Sequence, residues 1–186
     1  MENSWTIVSK NSNKNDSEKF LRVRPDCKLK VRLIGKPVKV FKVFVGGRKC
    51  MLLNSEDVGR QLRAKYPDMV GNVSVRYACW AIDRKDNALK ILDMPSTVAR
   101  SIGRRAVIGK KISSKEGCDF AIITNGKKGK EVRYEVVYLS ETPLTQAELE
   151  MVNKKRADRD SFDLTKVFKS CGFEEAEDKL PQVVYN

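Results

Sequence analysis

The chain contains no histidine among its 186 residues. That absence removes the commonest general base, the Ser-His and Cys-His nucleophile pairs, and imidazole ligation of metals. Cysteine is sparse and scattered: Cys27, Cys50, Cys79, Cys118 and Cys171 are odd in number and form no CxxC pair, so neither a zinc site nor a disulfide framework is expected. Most of them read as small apolar core residues. Asp83, Asp86, Asp93 and Asp119 have no spacing that demands a metal. The expectation is a protein that is not an enzyme and uses no cofactor or metal. Long apolar runs are missing too, since nothing approaches the roughly 18 residues that span a bilayer. The opening MENSWTIVSKNSNKND lacks the basic-then-apolar order of a secretory leader, so an intracellular protein without a membrane partner is expected.

What is abundant is positive charge. The chain has 37 Lys and Arg against 24 Asp and Glu, a net charge of +13. From Ser140 onward there are 7 basic and 10 acidic residues, so this end carries −3 and everything before it carries +16. A basic body with a mildly acidic end predicts a polyanion as partner of the body. The 41% hydrophobic content is enough for a folded core beneath a strongly solvated surface.

The patterning predicts how that charge is carried. Residues 1–19 are Asn-, Ser- and Lys-rich and read as a flexible arm. KLKVRLIGKPVKVFKVFV, Lys28 to Val45, alternates as a long strand kinked at Gly35 and Pro37, which suits a strand bending to close a barrel. Residues 46–72 form a helical insert whose helix is capped at Asn54 or Ser55 and stopped by Pro67. RYACWAIDRKDNALKILDM reads as a β-hairpin turning at Arg84–Asn87. Trp80, Ile82, Leu89 and Ile91 fall on one face and Tyr77, Cys79, Ala81, Lys90 and Leu92 on the other, less apolar one. STVARSIGRR is a helix that exposes Arg100, Arg104 and Arg105. DFAIITNG and EVRYEVVYL make a second hairpin around Lys127, Lys128 and Lys130. Thr145 to Glu148 is a capping box opening a helix to about Arg156, and Ser161–Cys171 reads as a short last helix. Three strands, a helix and two strands is the order of an OB-fold, mostly β with added helices, an order that a different small barrel or an α+β sheet can share. The predicted organisation is an arm over 1–19, an OB-fold domain over 20–139, a helical extension over 140–173 and a short tail over 174–186.

An OB-fold presents its second and third strands to an oligonucleotide, and unpaired bases stack on aromatic rings for roughly 1–3 kcal/mol each while a basic groove follows the backbone. The candidate nucleic-acid residues are therefore Lys39, Lys42, Phe44 and Arg48 on and after the first strand, with Arg76, Tyr77, Trp80, Arg84 and Lys90 in the hairpin. Arg104 and Arg105 on the helix, Lys127, Lys128 and Lys130 in the second turn, and Arg133 beyond it complete the set. The pattern leaves Trp80 between core packing, which its apolar face favours, and stacking. Tyr77 and Phe44 stand equally open to both roles.

KFLRVRPDCKLKVRLIGKPVKVFKVFV, RYACWAIDRKDNALKILDMPSTVARSIGRR and GCDFAIITNGKKGKEVRYEVVYLSETPLTQAEL, with the closing SFDLTKVF, together resemble phage single-stranded DNA-binding proteins, the helix-destabilising replication proteins of T-even phages. The likeness runs from about Phe20 to Phe168. It implies an OB-fold that coats exposed single-stranded DNA in the host cytoplasm during replication, recombination and repair. It also implies self-association on DNA through the arm and recruitment of a phage polymerase or other replication proteins through an acidic tail. Transfer to single positions is firmest for Arg76, Tyr77, Arg84, Lys90 and Arg133. Two features depart from the family: the insert keeps only Cys50 where relatives hold zinc, and FEEAEDKLPQVVYN is short and weakly acidic. A DNA-docking accessory factor of a phage replication or transcription complex, and a non-specific duplex binder, are the alternatives.

Overall fold

A computed structural model of the chain describes residues 19–25, 27–47, 49–107, 117–126 and 132–185. The fold is mostly β, a curled mixed sheet with several helices. In chain order the elements are β1 (Phe20–Arg22), β2 (Lys28–Val45), β3 (Lys49–Leu53), α1 (Glu56–Lys65), β4 (Ser74–Asp83), β5 (Ala88–Pro95) and α2 (Ser96–Val107). They continue with β6 (Cys118–Asn125), β7 (Arg133–Glu141), α3 (Gln146–Ala157), α4 (Arg159–Phe162), α5 (Leu164–Val167) and α6 (Phe173–Tyr185). The sheet order is β1-β5-β4-β2-β6-β7, with β3 paired to β2 off this path. No helix among the described residues is long and apolar enough to cross a membrane. The described chain divides into two compact units, residues 19–38 with 77–167 and residues 39–76 with 168–185, so β2 and β4 each contribute to both.

In the larger unit the alternating strands put Val31, Leu33, Cys79, Ala81, Leu92, Met94, Phe120 and Ile122 into one core, which α2 covers with Val98 and Ile102. Phe120 meets Tyr138 of β7 edge to face at 5.9 Å, a favoured aromatic geometry. β2 runs as one strand through the expected kink, where Gly35 takes a positive φ of 81°, a conformation that a side chain would resist. The β4–β5 hairpin turns where expected. Asn87 takes a left-handed φ of 54°, which asparagine tolerates, and the Asp83 and Asp86 carboxylates accept from the N–H groups of Lys85 and Ala88. The division of hairpin faces is also as predicted, but the wet face is not. Tyr77, Cys79, Ala81 and Leu92 form or line the main core, while Trp80, Ile82 and Ile91 on the opposite face are buried as well.

The smaller unit holds the outer part of β2, which pairs antiparallel with β3 so that Phe41 faces Leu53 and Phe44 faces Cys50. Gly46 and Gly47 carry the turn at positive φ. Ser55 caps α1 by accepting from the Val58 N–H at 3.2 Å, and the helix ends at Tyr66, ahead of Pro67. Gly59 lies where an added Cβ would meet Val73 Cγ2 at 2.4 Å, so only glycine lets the helix sit this close. Val43, Val45, Met51, Leu53, Leu62 and Val70 make a second core, which Ala176 and Leu180 of α6 complete.

Four elements depart from expectation. β1 and β3 are too short to show alternation, and each exists because a longer neighbour offers a free edge. The single helix expected over Ser161–Cys171 is two short ones, broken where the Asp163 carboxylate accepts from the Thr165 N–H. The expected tail is α6, a helix in spite of Pro181, whose missing N–H argues against helix in the sequence. Glu177 of α6 accepts from the Tyr66 hydroxyl at 2.5 Å and pairs with Lys65 at the same distance. The expected arm lies outside the described residues but for Lys19.

Candidate nucleic-acid interface

In the smaller unit, alternation along β2 aims Phe41, Val43 and Val45 at the core and leaves Lys42 and Phe44 on the opposite face. Phe44 is 46% exposed, and Leu139 is the other large apolar side chain so exposed among the described residues. Lys39 is exposed, with its ammonium 5.1 Å from the centre of the half-buried Phe41 ring. Lys42 and Arg76 are half-buried. Arg48, predicted beside them, lies outside the described residues. The result is a two-stranded ribbon with a water-facing ring at Phe44, Lys42 next to it on the same face and Lys39 over the Phe41 ring.

In the larger unit the hairpin residues separate into different roles. Trp80 is only 5% exposed: its ring stacks on Phe162 at 5.9 Å and 8°, and its indole N–H donates to the Phe162 carbonyl at 2.8 Å. The ammonium of Lys155 lies 5.2 Å from the same ring. A base could reach Trp80 only by displacing Phe162, so stacking gives way to core packing at this position. Tyr77 is half-buried against the main core.

Arg84 and Lys90 are committed as well. Arg84 donates through Nε to Asp119 Oδ2 at 2.9 Å, through Nη2 to Asp119 Oδ1 at 3.0 Å, and through Nη1 to Glu148. Arg32, fully buried, donates from Nε to the same Asp119 at 2.7 Å and from Nη2 to the carbonyl and hydroxyl of Thr142. The predicted capping box is present, with Glu148 Oε2 accepting from the Thr145 N–H at 2.8 Å, so α3 is locked to this network. Burial opposes ionisation of Glu148, but the Thr145 N–H and the Arg84 guanidinium outweigh it and hold its pKa below the usual range. Lys90 bonds to Asp83 at 2.9 Å and to Asp86. Burial lowers the Lys90 pKa, the two carboxylates raise it further, and the net shift is upward. The Lys90 ammonium in turn lowers the pKa of Asp86. Neither Arg84 nor Lys90 is a cation waiting for a phosphate; each is neutralised within the fold.

Arg104 and Arg105 are exposed in the last turn of α2, and Arg133 is exposed at the start of β7. Lys127, Lys128 and Lys130 lie outside the described residues. The exposed charge that sequence reasoning missed is elsewhere, in a groove of about 550 Å³ where β1 and the start of β2 meet the β4–β5 turn. Arg22, Arg24, Lys28, Lys30 and Lys85 line it together with Phe20 and Leu29. The signal was in KFLRVRPDCKLK, whose alternating cations read only as the wet side of a strand. Strand β1, which brings Arg22 alongside, is three residues long and leaves no periodic trace. Among the described residues, no group of three or more Cys, Asp or Glu side chains is placed to hold a metal ion.

No known family model matches this chain, and no curated protein matches it.

Proposed function

We propose that this protein is a non-catalytic single-stranded DNA-binding protein of the phage replication type, built on an OB-fold. The observation that carries the reading is Phe44. A phenylalanine left 46% exposed on a lysine-bearing ribbon forgoes about half of the roughly 1.5–3 kcal/mol that full burial supplies, and a stacked base recovers it. Supporting it is the order of the five principal strands across the sheet: third, second, first, fourth, fifth (β5-β4-β2-β6-β7), the order an OB-fold takes when laid open between its third and fifth strands. Exposed Arg104, Arg105 and Arg133 add phosphate contacts on the larger unit, and Tyr77 a half-open ring. Trp80, Arg84 and Lys90 drop out of the binding set because their groups are engaged inside the fold.

The reading expects affinity for dT oligomers to fall steeply as salt rises, because bound phosphates release counterions when they meet Lys and Arg. Direct competition between single- and double-stranded oligomers of equal length, at one salt concentration, tests it. Preference for the single strand supports the proposal. Equal or better competition by the duplex transfers the basic surface to non-specific duplex binding.

A further inference from the structure

We infer that the groove beneath the β4–β5 turn is a second anchoring site, one that takes a phosphodiester-linked nucleotide of a single strand. The inference deepens the single-strand reading and rests on it. Seven cations line this groove, and the structure sorts them into two classes. Arg84 and Lys90 are discharged by Asp119, Glu148, Asp83 and Asp86. Arg22, Arg24, Lys28, Lys30 and Lys85 form no ion pair with any carboxylate among the described residues, and all but Arg22, which is half-buried, are exposed. Five like charges gathered around one cavity repel one another, so the arrangement favours an anion that bridges several of them.

The shape narrows the choice of anion. At about 550 Å³ the groove falls in the range of pockets that enclose a small ligand, far too small to admit a duplex but adequate for a nucleotide unit. Phe20 and Leu29 give it an apolar lining beside the cations. A free inorganic anion would use the rim alone, whereas a nucleotide uses both surfaces, its phosphates on the rim and its sugar and base against the apolar part. Asp86, half-exposed at the turn and held ionised by Lys90, repels phosphate there. Phosphates are thereby directed to the Arg22–Lys30 side.

The test is fluorescence anisotropy of a labelled dT oligomer with the full chain, titrated with salt. The triple variant Arg24→Gln, Lys28→Gln, Lys30→Gln removes three exposed charges. If all three meet phosphates, the slope of log affinity against log salt becomes shallower by about 2, at about 0.7 per contact, and affinity at low salt falls at least tenfold. Lys28→Gln alone should shift the slope by about 0.7, which covers the case of a triple variant that folds poorly. The matched control Arg63→Gln, Lys154→Gln, Lys169→Gln should stay within twofold of the unaltered chain. A groove variant that behaves like this control overturns the inference while leaving single-strand binding standing. No oligomer binding by the unaltered chain at low salt removes both. Inorganic polyphosphate, added as competitor at equal phosphate concentration, separates nucleotide from bare charge: it should displace the oligomer at least tenfold less well than unlabelled dT. Equal displacement overturns the nucleotide assignment.

Discussion

Arg84→Lys separates a structural cation from a phosphate-binding one, because it conserves the charge and destroys the fork. In the fold Arg84 makes two near-parallel bonds to the oxygens of Asp119, at 2.9 and 3.0 Å, and a third to Glu148. A lysine ammonium is a point charge that serves one of these carboxylates well and abandons the fork geometry. Hydrogen bonds to charged groups contribute about 1.5–3 kcal/mol each, and Asp119 keeps Arg32 as a partner, so the net loss is about 2–4 kcal/mol. With a urea m-value of about 1–3 kcal/mol per molar, the unfolding midpoint should fall by about 1–2 M. Trp80 belongs to the same unit and has a defined stacking partner, so its fluorescence reports the transition. The salt slope of oligonucleotide binding should not change, since the guanidinium is already neutralised. The reasoning is refuted if stability moves by less than about 0.5 kcal/mol, a surface-substitution effect, while the salt slope changes.

Phe44→Ala should weaken binding of dT oligomers by about 1–3 kcal/mol without lowering the unfolding midpoint, read by anisotropy and urea denaturation on the same sample. Trp80→Phe should do the opposite. It orphans the Phe162 carbonyl and costs about 1–3 kcal/mol of stability, while oligomer affinity holds within twofold. Asp86 and Glu148 both have folded pKa values below their ordinary 3.8 and 4.5, so the stability they contribute is complete above about pH 4.5 and is lost as pH falls through the folded values. Denaturation midpoints measured from pH 7 to pH 3 should hold down to about 4.5 and then drop, and Glu148→Gln should flatten that drop.

The parts of the fold that repeat were legible in the amino-acid order. The long β2 strand, the β4–β5 hairpin with its division of faces, α2 and the Thr145–Glu148 box all carry a period or a cap that local chemistry dictates. The parts made by docking were not. Strand β1 has three residues, β3 has five, and α6 runs through Pro181; each is held by what lies beside it and by no pattern of its own. The candidate site failed in the same place for a related reason. Alternation told that Trp80 and Tyr77 point opposite ways, but it could not tell that Phe162, 82 residues further on, would cover the first. Nor could charge counting separate Arg84, 17% exposed between two carboxylates, from Arg24, exposed with none among the described residues.

That separation explains how so basic a protein folds at all. Asp83, Asp86, Asp119 and Glu148 are gathered around Arg32, Arg84 and Lys90. In the smaller unit Glu177 serves Lys65. Burial raises the cost of any unpaired charge, so acids placed there screen the guanidiniums that tie β2, β6, the hairpin turn and α3 together. Acids used inside cannot screen cations outside, and the excess of 13 positive charges is left for the surface. A coat for an anionic strand gains from that division twice: the interior network survives salt, because buried pairs are weakly screened, while the surface charges respond to salt fully. Folding and binding should therefore have opposite salt sensitivities in one molecule. Raising salt from 50 to 500 mM should release the oligomer while leaving the urea midpoint unchanged or higher; a midpoint that falls in step with affinity would mean that the same charges do both jobs.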